Sequence, residues 1–588
     1  MKFLGNVLAT VIGLFVFCFL FFFGIIILGA LFGGEERTVV KDNSVIELDL
    51  AKVTNDYGGK FNYKDMPFLN DKGTKDGLTD VLRAIEAASE DEKIKGISIL
   101  NNEIHLGIAQ TKTLRDELEK FKKSGKFVVA YGNVLSQKEY YLNSVADKVY
   151  LNPVGEMDFK GLSTEIMYFK DFQDKTGLKM EVIRHGKYKS AVEPFLASEM
   201  SPENREQITA FLTSIWNSII TDISKSRNIP AEKLNTIAND LLARTPEMAK
   251  SNNLVDFVAY EDVYHNDIKK RLKVEADEDY NTIAILDYAK DVALDNEFST
   301  KDKIAIIYAQ GEIGSGEGDL NVVGEGSMRR SLKEAREDED VKAIVLRIDS
   351  PGGSALTSDL IWREIEITKK VKPVVVSMGN LAASGGYYIA CNANRIFAEN
   401  STITGSIGVF GMLPNFSQIS NKYGINTELV ETHKNASGYT PFEPLDNDFR
   451  NFTQEGVEQV YKTFVSRVAA GRKMTYAQVD AIAQGRVWSG SDALKLGLVD
   501  KIGGMDDAIA YAASLAKMED YATVEYPEFE KDFEELFGGS GFFSFLKTRD
   551  ALLKEELGEE NYQMIQRIKT LNSKKGIQAS LPFEIEIQ

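Results

Sequence analysis

The sequence predicts a layered α/β protein made of one unit repeated in tandem behind a single membrane-spanning helix, and three observations carry that prediction. The first is register. A step of 247 residues takes KGISILNNEIHLG (95–107) to KAIVLRIDSPGGS (342–354), Tyr131-Gly132-Asn133 to Met378-Gly379-Asn380, Tyr140-Tyr141 to Tyr387-Tyr388, and ADKVY (146–150) to ANRIF (393–397). An offset held constant over so long a stretch marks a duplication. The second is alternation of amphipathic helices with short β-rich runs, the pattern of a helix-covered sheet. The third is residues 3–34, which carry no charged side chain. At 1.5 Å per residue they are long enough to cross about 30 Å of hydrocarbon.

The elements follow in order. Residues 1–36 form the anchor; no small-x-small cleavage site precedes Glu35-Glu36, so the run is read as uncleaved. Lys2 on the short leading tail orients that tail inside and the bulk of the chain outside. The first α/β domain spans 37–270. In it SVIELDL (44–50) alternates like a strand, 78–94 reads as an amphipathic helix leading to the strand 96–100, and 111–125 is a helix closed by Gly125 before the strand 126–132. Ser201-Pro202-Glu203 opens a long helix over 201–227.

The second α/β domain, 271–520, repeats the series as strand 303–313, helix 328–341, strand 343–349, helix 356–370 and strand 373–379, then helices over 451–472 and 474–485. The polar stretch 269–282 reads as a solvated seam between the copies. Residues 521–588 form an acidic and helical extension, to which the sequence assigns no chemistry.

A net charge of -19 and a pI near 5.0 oppose approach to a phosphate backbone, so nucleic acid is not an expected partner. Two cysteines rule out a disulfide framework. The four histidines, His105, His185, His265 and His433, lack metal-motif spacing, and no metal or other cofactor is expected.

Chemistry concentrates where the copies differ. The second has Gly352-Gly353 and Ser384 where the first has His105-Leu106 and Gln137, and the first has Lys189 where the second has Ala436. Ser384 follows an apolar strand and opens a helix, where free backbone donors stabilise charge growing beside its oxygen. Gly385 and Gly386 allow close approach of a substrate. The glycine pair after strand 343–349 can expose N–H groups to an oxyanion. A serine needs a proton acceptor, no histidine lies near this motif, and Lys189 is the alternative. To serve as a base near neutrality its pKa must drop by about 3 units from about 10.4, a cost of roughly 4 kcal/mol that burial can impose. Ser406, in TGSIGVFG (404–411), is a third candidate, able to orient the amine. Tyr387 and Tyr388 read as core residues, since Tyr140 and Tyr141 keep them in the copy without the serine.

DSPGG (349–353), ASGGYY (383–388), TGSIGV (404–409) and YKSAVEPF (188–195) together resemble the long, duplicated form of the bacterial signal peptide peptidase family. The resemblance runs from the anchor to about residue 510 and implies tandem Clp protease/crotonase-like domains. It implies Ser384 as nucleophile, Lys189 as general base, Ser406 as the lysine-coordinating serine, and the Gly353 and Gly385 N–H groups as the oxyanion hole. It further implies hydrophobic peptide substrates, cleaved signal peptides above all, and a homotetramer held by single-pass helices in the lipid bilayer of the bacterial inner membrane, with its catalytic domains on the periplasmic side. Two other readings compete: a crotonase-like enzyme acting on acyl-CoA thioesters, and a non-enzymatic membrane scaffold. The first needs neither a hydroxyl at 384 nor a membrane span, and the second predicts loss of one chemical partner from both copies, whereas each survives once.

Overall fold

The computed structural model describes residues 39–63, 75–296, 300–531 and 577–580, with scattered positions (6, 10, 12–18, 20, 21 and 24) of the amino-terminal run. Among the described residues no helix is long and apolar enough to cross a membrane; the anchor expected over 1–36 lies otherwise outside them.

Two mainly parallel sheets form the cores. The first runs Phe257–Val258, Lys148–Met157, Phe127–Leu135, Ile94–Leu100, Ser44–Glu47, Asn281–Ala284, with every pair parallel. The second centres on Val341–Ser350 between Lys303–Gln310 and Val374–Ala383, with Ala522–Tyr526 at one edge. Runs such as Ala343, Ile344, Val345 and Leu346 are buried throughout because helices and neighbouring layers cover both faces, as a parallel sheet requires.

The duplication is written into the elements. Helix Leu78–Glu90 becomes Glu325–Glu337 (325 − 78 = 247), and Ile94–Leu100 becomes the start of Val341–Ser350 at the same offset. Later the offset slips by three: Phe257–Val258 matches Lys501–Ile502 (501 − 257 = 244), and Glu261–Leu272 matches Met505–Ala516. Tyr140 and Tyr387 keep one role in both copies, each hydroxyl donating to a leucine carbonyl, Leu254 at 2.9 Å and Leu498 at 2.8 Å.

Two boundaries differ from the sequence reading. The first unit does not end at 270: Asn281–Ala284 returns to pair in parallel with Ser44–Glu47, so part of the supposed seam is an edge strand. The second unit likewise continues past 520, because Ala522–Tyr526 pairs with Lys303–Gln310. Each copy closes its sheet with a returning strand whose short, mixed pattern resembles a linker until its partner is known.

A third sheet joins the copies. Lys179–His185 of the first pairs antiparallel with Val409–Asn415 of the second over seven residues, from Val409 opposite His185 to Asn415 opposite Lys179. A buried polar brace adds to this. The Arg347 guanidinium holds Asp56 at 2.7 and 3.3 Å, with the two side chains 2% and 3% exposed. Gln110 Nε2 donates to Asp56 at 3.0 Å, and Asn380 Oδ1 accepts the N–H groups of Ala109 and Gln110, satisfying the start of a first-copy helix from the second copy. Burial, with the Asp56 carboxylate close by, raises Asp349 to about 6, although its oxygens accept Leu381 N–H and Asn380 Nδ2. Removing one member of a buried ion pair strands the other. Asp56→Ala is therefore expected to destabilise the protein by about 3–5 kcal/mol, read as a fall in the midpoint of chemical unfolding.

Candidate active site

Ser384 ends strand Val374–Ala383 and caps helix Gly385–Ala390 with φ 55° and ψ -113°. A non-glycine residue held there is strained, and strain of this kind places a nucleophile at the tip of a strand-to-helix turn. The turn is fixed on both sides: Ser384 N–H donates to Gly405 O and Tyr388 N–H donates to Ser384 O, each at 2.8 Å. The 22-residue spacing to Ser406 also has a cause. Parallel pairing sets Ala382 opposite Thr404 and Ala383 opposite Gly405, so Ser384 and Ser406 leave adjacent strand ends together.

Lys189 arrives from the other copy. After strand Lys179–His185 the chain turns at Gly186, φ 99°, and Tyr188 N–H donates to Gln484 O at 2.9 Å. Gly485, φ 79°, faces this backbone; a Cβ there would lie 2.6 Å from Lys189 N and Cβ, so only glycine lets the lysine seat. A Cβ on Gly408 would lie 3.2 Å from Lys189 Cδ. Lys189 Nζ then lies 2.9 Å from Ser384 Oγ, 3.0 Å from Ser406 Oγ and 3.3 Å from Ser406 O.

All three side chains are fully buried. Desolvation pushes the Lys189 pKa well below the usual amine range, and no carboxylate offsets it. A neutral amine has two N–H groups and one lone pair. The Ser406 carbonyl can only accept, so it takes one N–H; Ser406 Oγ takes the second. The lone pair is left facing the Ser384 hydroxyl, the geometry for removing its proton.

The glycine pair lies beside this centre. Gly352 and Gly353 have φ 95° and 154°, and a Cβ on Gly353 would meet Ile313 O at 2.1 Å. Gly385 abuts them: its notional Cβ lies 3.1 Å from Gly353 N, and that of Gly352 lies 2.6 Å from Gly385 N. The backbones of Gly353 and Gly385 thus meet beside Ser384, and all five site residues expected from sequence come together.

The counterpart in the first copy is filled in. Gln137, at the Ser384 position, accepts the N–H groups of Lys160 and Gly161 at 3.0 and 2.9 Å and donates to Gly161 O at 3.0 Å. Leu106 replaces Gly353 in the core, and Phe159 replaces Ser406, packed against Tyr140 and Trp216. Ala436 lies in an exposed loop. His185 is turned to Glu458 and stacked on Tyr461, and Lys187 is exposed, so neither joins the site. Sequence reasoning missed Gly485, Gly408 and Gln207, whose amide holds Tyr188 O and Ser190 Oγ at 3.2 and 2.7 Å. Of these only Gly408 lay inside a motif already singled out.

Peptidase family S49 is matched twice, at residues 120–275 and 366–519, once in each copy. The chain is 38% identical over 460 residues to Protease 4 of Haemophilus influenzae, covering 76% of this chain and 74% of that one. It is 37% identical over 466 residues to Protease 4 of Salmonella typhi, covering 77% and 74%. To a putative signal peptide peptidase SppA of Enterococcus faecium it is 36% identical over 196 residues, covering 33% and 57%.

Proposed function

Since the chain belongs to peptidase family S49 and is a serine protease, we propose that it is a membrane-anchored endopeptidase that cuts hydrophobic peptides, chiefly released signal peptides, with a Ser384–Lys189 dyad. The observation that carries this reading is the 2.9 Å approach of Lys189 Nζ to Ser384 Oγ in a fully buried setting without a charged partner. Ser384 Oγ attacks the peptide carbonyl as Lys189 takes its proton. The oxyanion is received by the N–H groups of Gly353 and Gly385, and the proton passes from Lys189 to the leaving amine. Water, activated by the same amine, then hydrolyses the acyl-enzyme. Ser406 keeps the amine aimed throughout.

The remaining parts of the proposal are a Clp protease/crotonase-like fold for both copies, a bilayer anchor within 1–36, a homotetramer, and catalytic domains on the periplasmic side of the inner membrane. The long uncharged run at 3–34 and the layered parallel sheets support the first two. Treating the detergent-extracted protein with a serine-directed phosphonate is expected to leave one adduct, located on Ser384 by peptide mass mapping. An adduct on another serine with Ser384 unmodified would overturn the dyad. Native mass measurement in mild detergent is the corresponding check on four subunits.

A further inference from the structure

The copies part ways at a second place, away from the reactive serine. In the second copy the carboxyl ends of helices Ala355–Thr368, Gly385–Ala390 and Asn447–Arg472 border a cavity of about 880 Å³, and Ser384, Lys189 and Ser406 are not among its walls. The first copy closes the same place. Its helices Ile108–Lys123 and Pro202–Arg227 correspond to Ala355–Thr368 and Asn447–Arg472, and the pair Arg227–Asp256 at 2.9 Å recurs as Arg472–Asp500 at 2.6 Å, which fixes the alignment. There Arg115, 1% exposed, sets its guanidinium between the helices, donating to Tyr141 O, Ser144 Oγ, Asp222 O and Ser226 Oγ. Lys225 on one helix also pairs with Glu119 on the other at 3.3 Å. In the second copy Arg115 becomes Trp362, Ser144 becomes Cys391, Ser226 becomes Gly471 and Lys225 becomes Ala470, so the plug, its hydroxyl acceptors and the bridge are all gone. A Cβ on Gly471 would lie 2.3 Å from Cys391 O, so no side chain can return there.

The replacements run one way in charge. Asp147 and Asp222 of the first copy become Asn394 and Arg467, Asn217 and Asn228 become Lys462 and Lys473, and all four second-copy residues line the cavity. This happens in a chain whose net charge is -19. Helix ends account for two other cations of the lining: Lys369 Nζ donates to Asn392 O and Arg472 Nε to Gly497 O, as basic side chains do at a helix carboxyl terminus. Glu366 and Asp500 pair with these same two, at 3.3 and 2.6 Å. Arg395, Lys462 and Lys473 have no ion-pair partner among the described residues. The Arg467 guanidinium sits 3.6 Å from the centroid of the Trp362 ring, and its one carboxylate, Asp359 at 3.5 Å, already accepts the Tyr388 hydroxyl. Four buried polar atoms of the lining also lack a hydrogen-bond partner: Trp362 Nε1, Arg395 Nε, Arg467 Nε and Asn392 Oδ1. Three of the four are donors, and unsatisfied buried donors beside unpaired cations call for an anion.

We infer that this cavity binds a molecule carrying paired phosphate groups. The positive charges left on Arg395, Lys462 and Lys473 match the roughly three negative charges of a diphosphate near pH 7. Arg395 and Arg467 supply forked N–H donors of the geometry that phosphate oxygens accept. The volume falls within the range of about 300–1,000 Å³ typical of small-molecule sites. It exceeds what two phosphates fill, so the ligand has a further group attached to them, as a soluble nucleotide or a lipid headgroup does. The site is independent of the Ser384–Lys189 dyad.

Titration calorimetry of the full chain in mild detergent with inorganic pyrophosphate, at fixed ionic strength, tests this. One pyrophosphate per chain is expected to bind, and the double variant Lys462→Glu/Lys473→Glu to bind it at least tenfold more weakly. Both lysines are exposed, so the melting temperature of that variant should stay within a few degrees. Lys225→Ala, in the closed groove of the first copy, should leave the affinity unchanged. Competition tells the sources apart. Displacement of pyrophosphate by ADP but not by cardiolipin vesicles marks a soluble ligand, and the reverse marks a lipid headgroup. Displacement by neither denies the attached group and overturns the inference. So does equal weakening in Lys225→Ala, which reports charge alone, or unchanged affinity in the double variant. Absence of pyrophosphate binding overturns it too; if the double variant then also loses oligomer mass, the cations belong to a contact with an acidic face of a second copy.

Discussion

Replacing Ser384 with alanine is expected to lower kcat on an apolar peptide by a factor on the order of 10⁶, the loss seen when the nucleophile of an integrated catalytic set is removed. The fold should survive. Serine and alanine suffer similar strain at φ 55°, and the turn is held by backbone bonds that the substitution leaves in place. Circular dichroism and the melting temperature should therefore match the unaltered protein within a few degrees, while turnover disappears. A variant that keeps more than about one-hundredth of the original kcat would require another attacking group and would sink the dyad, since general-base assistance alone is worth about 10²–10⁴.

Lys189→Met is expected to do two things at once: abolish turnover to a similar degree and raise thermal stability. The sign follows from protons. In the unfolded chain the amine is protonated below its ordinary pKa of about 10.4, whereas burial depresses the folded value well below that. The unfolded state binds more protons across the interval, so the stability of the unaltered protein falls as pH drops from the unfolded pKa toward the folded one. Methionine has no such titration. The melting-temperature gain of Lys189→Met should thus be small near pH 10 and grow as pH is lowered to 7. The same depressed pKa should appear as the acid limb of kcat/KM in the unaltered enzyme. A gain independent of pH, or activity confined to pH values above 10, would show that the amine is charged in the folded protein.

Much of this was legible in the sequence because duplication supplies its own control. Gln137 against Ser384 and Ala436 against Lys189 expose a divided chemistry that neither copy reveals alone, and the strand and helix periods repeat at one offset. What escaped depends on partners far along the chain. Asn281–Ala284 and Ala522–Tyr526 are short, mixed runs that become strands only beside Ser44–Glu47 and Lys303–Gln310. Gly485 looks like a helix terminator until the Lys189 backbone is placed against it. Ala579 lies in a tail of biased composition, and nothing local marks it as lying opposite Gly353. Periodicity reports which way a side chain faces within its own element; it is silent about which distant backbone fills the remaining space.

The arm formed by Lys179–His185 on Val409–Asn415 also bears on biosynthesis. A ribosome makes the amine 195 residues before the hydroxyl, and the two meet only after the later strand has emerged and received the earlier one. A product terminated before residue 409 would lack the strand on which Lys179–His185 docks, so under the proposed dyad it would carry half a catalyst and no cutting power.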